Sequence, residues 1–262
     1  MPIDNASVTS AESQPLADKF MNLKDKNVLI TGAAVRIGHG LAEALAARGC
    51  RLALHCHRSV AQAEALARQL RSNGCRTIVI KYDLLKPRAG EIIIKRAFQA
   101  LGRLDVLVNN AAVFSKESLA TSTEKQIRET LELNLMAPIM MTRAFANIVG
   151  KGKIINILDR RIVGVEPGLA AYLLSKKALA DFTKIAAREL APHITVNGIA
   201  PGPVFVPTNI SEREKAGKIP LGKRPTIADV AATLIFLLQN DSITGEIIFV
   251  DGGQHLLGTQ QK

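Results

Sequence analysis

Short apolar runs alternate with stretches of helical periodicity along most of the chain. The first run, 27–31, is followed by residues 37–48, where apolar positions recur every three or four places. The same alternation continues to residue 250. It predicts strands at 27–31, 51–56, 77–81, 105–109, 153–158, 194–197 and 246–250, and helices at 37–48, 60–72, 88–101, 123–148, 170–190 and 226–238.

The strand segments are apolar at consecutive positions rather than at every second one. Both of their faces must therefore be covered, as in a parallel sheet that lies between two layers of helices. Strand and helix in regular turn indicate β-α-β units. We expect an α/β fold with a single doubly wound domain at 25–262, preceded by a flexible N-terminal tail at 1–24 that shows no periodicity.

The composition agrees with a core-forming protein without membrane segments. The chain has 262 residues, of which 47% are hydrophobic, and no apolar run approaches the roughly 20 residues that span a bilayer. Its start lacks the basic and apolar regions of a secretory signal, so we expect a cytoplasmic protein. The three cysteines have no C-x-x-C spacing, which predicts reduced core thiols rather than disulfides or a metal site.

The charge balance favours an anionic partner. Lysine and arginine total 34 against 23 acidic residues, giving a net charge of +11. A phosphorylated cofactor, an acidic substrate or a nucleic acid would each suit this excess. The basic residues are scattered, however, and the chain has no tryptophan and two tyrosines, whereas nucleic-acid surfaces usually interleave basic and aromatic groups. We therefore expect a small anion and no nucleic acid.

A glycine-containing turn follows the first predicted strand and opens the first helix. Glycine lets the backbone approach a pyrophosphate, and a helix N-terminus offers free N–H groups. We expect contacts to a dinucleotide from Gly32, Arg36, Ile37 and Gly38, although a purely structural turn is the alternative. Arg36 stands where the usual motif has a further glycine.

The end of the second strand predicts which dinucleotide binds. A free ribose 2′-hydroxyl is usually met there by Asp or Glu, but this chain has His57, Arg58 and Ser59. These side chains can donate to a 2′-phosphate, which favours NADP(H) over NAD(H); a solvated basic turn is the alternative. Beyond the third and fourth strands, Asp83 can accept from an adenine amino group or cap a turn, and Asn110 can bind backbone or ribose.

Candidate acid–base groups follow the fifth predicted strand. Tyr172 and Lys176 are four residues apart, on one face of a helix, and an ammonium there would lower the pKa of the phenol. Asp159 ends the fifth strand, where ligands bind in open α/β sheets. Asn134 is a polar side chain in an apolar stretch, either satisfied within the core or holding a water near Lys176.

Taken together, in the order in which they occur along the chain, these residues resemble the pattern of the short-chain dehydrogenase/reductase family. The resemblance covers almost the whole chain. The resemblance implies a seven-stranded Rossmann fold, hydride transfer with a nicotinamide cofactor and a homotetramer. It matches Asn134, Tyr172 and Lys176 to the family's catalytic residues. The positions that carry the resemblance, or that it implies at the cofactor, are Thr31, Gly32, Gly38, Asp83, Leu84, Asn109, Asn110, Ala111, Asn134, Tyr172, Lys176, Pro201, Gly202 and the segment 250–253.

Two departures from the general pattern resemble the pteridine reductase branch of that family. Arg36 interrupts the glycine loop, and Asp159 replaces the usual serine. The segment 55–59 is similar to the branch's NADPH segment, and Phe114 matches its pterin-stacking aromatic, with core or lid packing as the alternative. The resemblance implies that Arg36, Phe114, Asp159 and Tyr172 contact the substrate.

The aspartate favours the reduction of a C=N bond, because an ionised carboxylate would repel the oxyanion that forms in ketone reduction. We expect NADPH to reduce a dihydropterin or dihydrofolate, with Asp159 and Tyr172 as a proton relay. One alternative is a general carbonyl or 3-oxoacyl reductase. Another is a non-catalytic dinucleotide- or nucleic-acid-binding protein. Arg160 and Arg161 either hold an acidic substrate tail or are solvated, and we favour solvation.

Overall fold

A computed structural model describes residues 22–114, 116–205 and 219–257. Its sheet has seven strands, all parallel, in the order β3-β2-β1-β4-β5-β6-β7. Their continuous apolar runs lie between two helical layers, which confirms the doubly wound α/β fold. The strands are β1 (Asn27–Ile30), β2 (Arg51–Cys56), β3 (Thr77–Lys81), β4 (Val106–Asn109), β5 (Gly152–Ile157), β6 (Ile194–Pro201) and β7 (Ile247–Val250).

Seven α-helices of the described residues cover the two faces of the sheet. They are α1 (Arg36–Ala46), α2 (Val60–Ser72), α3 (Ala89–Leu101), α4 (Glu124–Leu131), α5 (Ala137–Val149), α6 (Ala170–Leu190) and α7 (Ile227–Gln239). The apolar faces of α1, α2 and α7 form a core on one side. Those of α3, α5 and α6 form a second core on the other side.

The segment predicted as one helix at 123–148 is helical throughout 124–149, but it is not an uninterrupted α-helix. A π-helical turn, Glu132–Met136, separates α4 from α5. Pro138 lies in the first turn of α5 and has no N–H to donate to the carbonyl of Asn134, four residues earlier. The wider turn also places Asn134 in the interior, fully buried.

The boundary expected for the N-terminal tail needs correction. Leu23 is only 3% exposed, and its carbonyl accepts from the Cys50 thiol at 3.3 Å. Residues 22–24 therefore belong to the domain rather than to the tail. The remainder of the predicted tail, 1–21, lies outside the described residues, as do 206–218 and the last five residues of the domain assigned to 25–262.

The three cysteines are buried and unpaired in the described fold. Burial raises the pKa of the Cys50 thiol to about 12, so it is protonated at neutral pH. Within 22–114, 116–205 and 219–257, no group of three histidine, cysteine or acidic side chains is arranged to hold a metal ion. Over these same ranges, every helix is too short or too polar to cross a bilayer.

Candidate active site

The predicted site residues meet at the carboxyl edge of the sheet, around β1 and its neighbour β4. Strand order reverses at β1, since β2 lies on one side of it and β4 on the other. A crevice at such a switch point is where open α/β sheets bind ligands. The turn after β1, the segment after β4 and Asp159 after β5 all open onto this edge.

The glycine turn between β1 and α1 packs closely against the segment that follows β4. Gly32 has a φ of +63°, and a Cβ there would lie 2.9 Å from the Cα of Ala111. A Cβ on Gly38 would lie 2.6 Å from the side-chain nitrogen of Asn110. No side chain caps the N-terminus of α1, and no acidic residue lies in its first turn. The free N–H groups and the helix dipole therefore fit an anion such as a pyrophosphate.

Arg36 begins α1 in the left-handed conformation, with a φ of +55°. This is the conformation that a glycine at the same position would adopt without strain, and it costs an L-residue about 1 kcal/mol or more. The exposed guanidinium lies over the ring of Phe205, 4.9 Å from its centroid. The strained backbone at this position therefore carries a cation at the rim of the crevice.

Two side chains that carried the family resemblance, but to which the sequence analysis assigned no role, hold this turn. The Gly32 N–H donates to Nδ1 of His55 at 3.3 Å, and Nε2 of His55 lies 3.0 Å from the Tyr82 carbonyl. Burial lowers the pKa of His55 to about 4, so the ring is neutral and donates through Nε2. The Thr31 hydroxyl accepts from the backbone N–H groups of Asn110 and Ala111.

Asn110 joins the turn to the end of β4. Its side-chain nitrogen donates to the carbonyls of Thr31 and Gly32 at 2.9 and 3.0 Å. These bonds fix the β1 turn against the β4 segment, so the structure gives Asn110 a backbone-holding position beside the crevice.

The basic side chains predicted for a 2′-phosphate lie at the end of β2. Those of His57 and Arg58 are exposed, and Nδ1 of His57 is 3.6 Å from the carboxylate of Asp83. Asp83 also accepts from the N–H of Leu85 at 3.0 Å. It therefore caps a turn, which is one of the two roles expected from the sequence. The exposed guanidinium of Arg58 fits a phosphate at this corner.

Asp159 and Tyr172 form a buried pair. The Tyr172 hydroxyl donates to Oδ2 of Asp159 at 2.7 Å, across 13 residues of sequence. Lys176 is one turn further along α6, and its ammonium donates to the carbonyl of Ile157 at 2.8 Å. Asp159, Tyr172 and Lys176 therefore all lie beside the carboxyl end of β5. Tyr172 and Lys176 project from the same face of α6.

The expected effect of Lys176 on the phenol is wrong in this structure. Burial and the adjacent Asp159 carboxylate raise the pKa of Tyr172 far above its usual range, while the cations Arg161 and Arg36 oppose the increase. Burial in turn lowers the pKa of Lys176 to about 8. Tyr172 is therefore a protonated phenol at neutral pH, able to donate a proton rather than poised as a phenolate.

Phe114 lies beside this pair and is about half exposed. Its ring meets that of Tyr172 edge to face, with centroids 4.8 Å apart, and the residue is 53% exposed. Of the two packing alternatives for Phe114, burial in the core is wrong, and packing as part of a lid stays a prediction. An exposed aromatic ring at the mouth of the crevice is suited to stacking against a flat heterocycle.

The expectation that the two arginines after Asp159 are solvated is wrong for Arg161. Its guanidinium donates to Asp159 at 3.1 Å and to Glu166 at 2.6 Å, and it lies 5.7 Å from the centroid of the Phe114 ring. Arg160 is partly buried, and its Nε has no hydrogen-bond partner among the described residues. The sequence could not distinguish Arg160 from Arg161, because the bonds of Arg161 to Asp159 and Glu166 depend on how the chain turns between these two acidic residues.

The remaining predicted positions line the same edge. Gly202 follows β6, and a Cβ there would lie 2.8 Å from the Cα of Asp251, which explains the small residue. The other predicted cofactor residues that the structure describes near the turns after β1, β2, β3, β4 and β6 are Ile37, Ser59, Leu84, Ala111 and Pro201.

Comparisons with known proteins agree with this arrangement. A family model described as short chain dehydrogenase matches residues 26–217. The 3-oxoacyl-[acyl-carrier-protein] reductase of Synechocystis is 33% identical over 236 residues, covering 86% of this chain and 95% of the relative. The Escherichia coli reductase of the same name, FabG, is 31% identical and covers 90% and 100%.

Solved structures are similar at the level of the whole fold. The FolM alternative dihydrofolate reductase 1 from Brucella canis, complexed with NADP, is 34% identical with a TM-score of 0.84, covering 90% of this chain and 96% of that one. A short chain dehydrogenase from Burkholderia cenocepacia, also in complex with NADP, is 32% identical with a TM-score of 0.83, covering 88% and 98%.

Proposed function

This chain belongs to the short-chain dehydrogenase/reductase family, and we propose that it uses NADPH to reduce the C=N bond of a dihydropterin or dihydrofolate. The family relationship makes it an oxidoreductase. The prediction of an NADP cofactor agrees with the Brucella and Burkholderia relatives, which hold NADP. In this chain, Arg58 and His57 would bind the 2′-phosphate, and the uncapped N-terminus of α1 would bind the pyrophosphate.

The observation that carries the proposal is the 2.7 Å hydrogen bond between Tyr172 and Asp159. When bound, NADPH supplies a hydride to the carbon of the C=N bond. Tyr172 gives the proton of its hydroxyl to the nitrogen, and Asp159 passes a replacement proton from solvent back to the phenol oxygen. The substrate thus gains one hydride and one proton. Lys176, held by the carbonyl of Ile157, would bind the ribose hydroxyls of the cofactor with its buried ammonium.

The same carboxylate disfavours ketone reduction. A ketone that accepts hydride develops negative charge on its oxygen, and an ionised Asp159 close to that oxygen would oppose it. A C=N nitrogen instead needs a proton and carries no oxyanion. Phe114 supports a flat substrate, because its accessible ring adjoins the reacting pair. The resemblance to FolM alternative dihydrofolate reductase 1 supports the same substrate class.

Reduction of a 3-oxoacyl thioester or another ketone is the competing function, favoured by the names of the Synechocystis and Escherichia coli relatives. A third reading, a non-catalytic dinucleotide- or nucleic-acid-binding protein, is opposed by the intact set of Asn134, Tyr172 and Lys176. We therefore propose no nucleic-acid partner. The family also implies a homotetramer, which the exposed apolar side chains of Met136, Met140, Leu174 and Ile185 support. A cytoplasmic location stays a prediction from the sequence.

Steady-state kinetics with NADPH test the proposal. Dihydrobiopterin, dihydromonapterin and dihydrofolate are compared with acetoacetyl-coenzyme A and a small cyclic ketone, using Tyr172→Phe as the inactive control. We expect kcat/KM to be highest for one of the three C=N substrates. No turnover of any of them, together with efficient turnover of a ketone, would refute the pterin assignment. Light scattering on the same preparation measures the oligomeric state.

A further inference from the structure

Arg161 lies in a row of charged and polar groups that ends at the reacting phenol. Its Nε donates to Glu166 at 2.6 Å, and its Nη1 donates to the two carboxylate oxygens of Asp159 at 3.1 and 3.4 Å. Asp159 in turn accepts from the Tyr172 hydroxyl at 2.7 Å. The row therefore runs Glu166, Arg161, Asp159, Tyr172, with a single cation among three acidic groups.

Asp159 is held by two hydrogen bonds besides those from the guanidinium of Arg161. The backbone N–H of Arg161 donates to Oδ1 of Asp159 at 2.8 Å, at the start of the short 3-10 turn Arg160–Val163. The Tyr172 hydroxyl holds the other oxygen. A backbone donor and a buried phenol thus fix the carboxylate, so the guanidinium contributes mainly charge.

That charge matters once Tyr172 gives up its proton. The phenol oxygen then becomes an anion 2.7 Å from a carboxylate oxygen. The side chains of Asp159 and Arg161 are only 12% and 23% exposed, so water screens this repulsion poorly. Two like charges at such a distance in a buried site are strongly unfavourable unless a cation adjoins them.

We propose that Arg161 is the counter-charge that allows Tyr172 to release its proton beside Asp159, and that Glu166 holds Arg161 in this position. Arg161 acts through Asp159 and is a positioning residue rather than a proton donor. The inference rests on the proposed proton-donor role of Tyr172, but it does not depend on a pterin as the substrate.

The other cations near Tyr172 have different positions. Arg36, from α1, lies at the rim over Phe205. Lys176, one turn along α6, is bound to the carbonyl of Ile157. Among the described residues, Arg161 alone contacts the Asp159 carboxylate with a charged side chain. The neighbouring Arg160 donates no hydrogen bond to a described acceptor through its buried Nε, which makes it a matched control.

The test is a double-mutant cycle. Arg161→Gln, Arg161→Lys and Arg160→Gln are made in the native protein, and Arg161→Gln is also made together with Asp159→Asn. We expect Arg161→Gln to lower kcat on the order of 100-fold, the lower end of the loss that follows removal of one preorganised electrostatic donor. Arg161→Lys should restore part of the loss, and Arg160→Gln should stay within about twofold of the native kcat.

The cycle distinguishes a charge effect from a structural one. In the Asp159→Asn background, removal of Arg161 should change kcat by less than about twofold, because the charge that it compensates is gone. The dissociation constant of NADPH, measured by fluorescence, should stay unchanged in every Arg161 variant.

Equal losses of kcat in both backgrounds, or equal losses for Arg160→Gln and Arg161→Gln, would overturn the proposal. If Arg161→Gln fails to fold, Arg161→Lys and Glu166→Gln carry the same cycle, and an absence of any kcat effect in both would also overturn it. Dihydrobiopterin is the first substrate, because it has no carboxylate that Arg160 could bind. If the chain reduces only a ketone, the pterin assignment fails and the cycle is run with that ketone.

Discussion

The side-chain amide of Asn134 pairs with both backbone groups of Val113. Its oxygen accepts from the Val113 N–H at 2.9 Å, and its nitrogen donates to the Val113 carbonyl at 2.9 Å. The same nitrogen is 3.3 Å from the hydroxyl of Ser175. Asn134 therefore ties the segment before Phe114 to the π-helical turn and to α6, and its hydrogen-bonding groups are satisfied within the protein.

Replacement of Asn134 by alanine should loosen the segment that presents Phe114. Both backbone groups of Val113 lose their partner, so we expect the free energy of unfolding to fall by about 2 kcal/mol. The kcat should fall as well, because Phe114 no longer has a fixed position. Chemical denaturation and steady-state kinetics measure the two effects. Asn134→Asp keeps the acceptor for the N–H but sets a buried oxygen against the Val113 carbonyl, so it should also lose stability and activity. Native behaviour of both variants would contradict this role.

Arg36→Gly should separate stability from function. Glycine adopts a φ of +55° without the steric cost that arginine bears there, so the free energy of unfolding should rise by about 1 kcal/mol. The binding of NADPH and substrate should weaken, because the cation at the rim is lost. Arg88→Gly is the control, since Arg88 has a φ of +58° at the exposed start of α3. It should stabilise the protein similarly and leave kinetics unchanged, whereas a kinetic loss in both variants would contradict the assignment.

Lys176 should make the stability of the cofactor-free protein depend on pH. Burial lowers its pKa from 10.5 to about 8 in the folded state. Between these values the unfolded chain binds more protons than the folded protein, so stability rises with pH. Below pH 8 both states are charged and the burial penalty, about 3 kcal/mol, is fully present.

The difference between native protein and Lys176→Met isolates this effect. The pKa of Cys50 is raised to about 12, which causes an opposing loss of stability above pH 9 in both proteins. Lys176→Met should have the higher free energy of unfolding at pH 7. Urea denaturation from pH 7 to 10 should show that this difference from the native protein becomes smaller as the pH rises above 8. A constant difference across this window would show that Lys176 is not neutralised by burial.

Arg58→Ala should change cofactor preference. The exposed guanidinium at the end of β2 is the group we assign to the 2′-phosphate, so the dissociation constant of NADPH should rise by roughly 10-fold or more. Binding of NADH, which lacks that phosphate, should stay within twofold. Arg68→Ala removes the same charge from an exposed position on α2 and should change neither constant. Equal weakening of both cofactors by Arg58→Ala would contradict the assignment.

The sheet was predictable because parallel strands buried on both faces must be apolar at every position, as Val28, Leu29 and Ile30 are. The interruption between α4 and α5 was not, because Leu133 and Leu135 continue the apolar pattern through it. The groups that bind Asn134 across the wider turn, Val113 and Ser175, are distant in sequence.

The site was predictable in its members but not in its electrostatics. Helical spacing places Tyr172 and Lys176 on one face, yet the ammonium is bound by the carbonyl of Ile157 on β5. The phenol is paired with Asp159 instead. Which of two neighbours on a helix finds a partner depends on the strand packed beneath them, and a sequence pattern does not contain that information. The same limit applies to His55, whose bond to Gly32 spans 23 residues.

The turns that follow α2, α3 and α5 lie at the edge of the sheet opposite the crevice. Their glycines, Gly74, Gly102 and Gly150, have left-handed φ angles and no atom within 4 Å of where a side chain would begin. The candidate active site and these three glycine turns therefore lie at opposite edges of the sheet. Insertions at Gly74 or Gly150 should therefore leave the groups that bind and reduce a substrate in place, whereas the turn at Gly102 is fixed by hydrogen bonds from Asn27 to the carbonyls of Leu101 and Arg103.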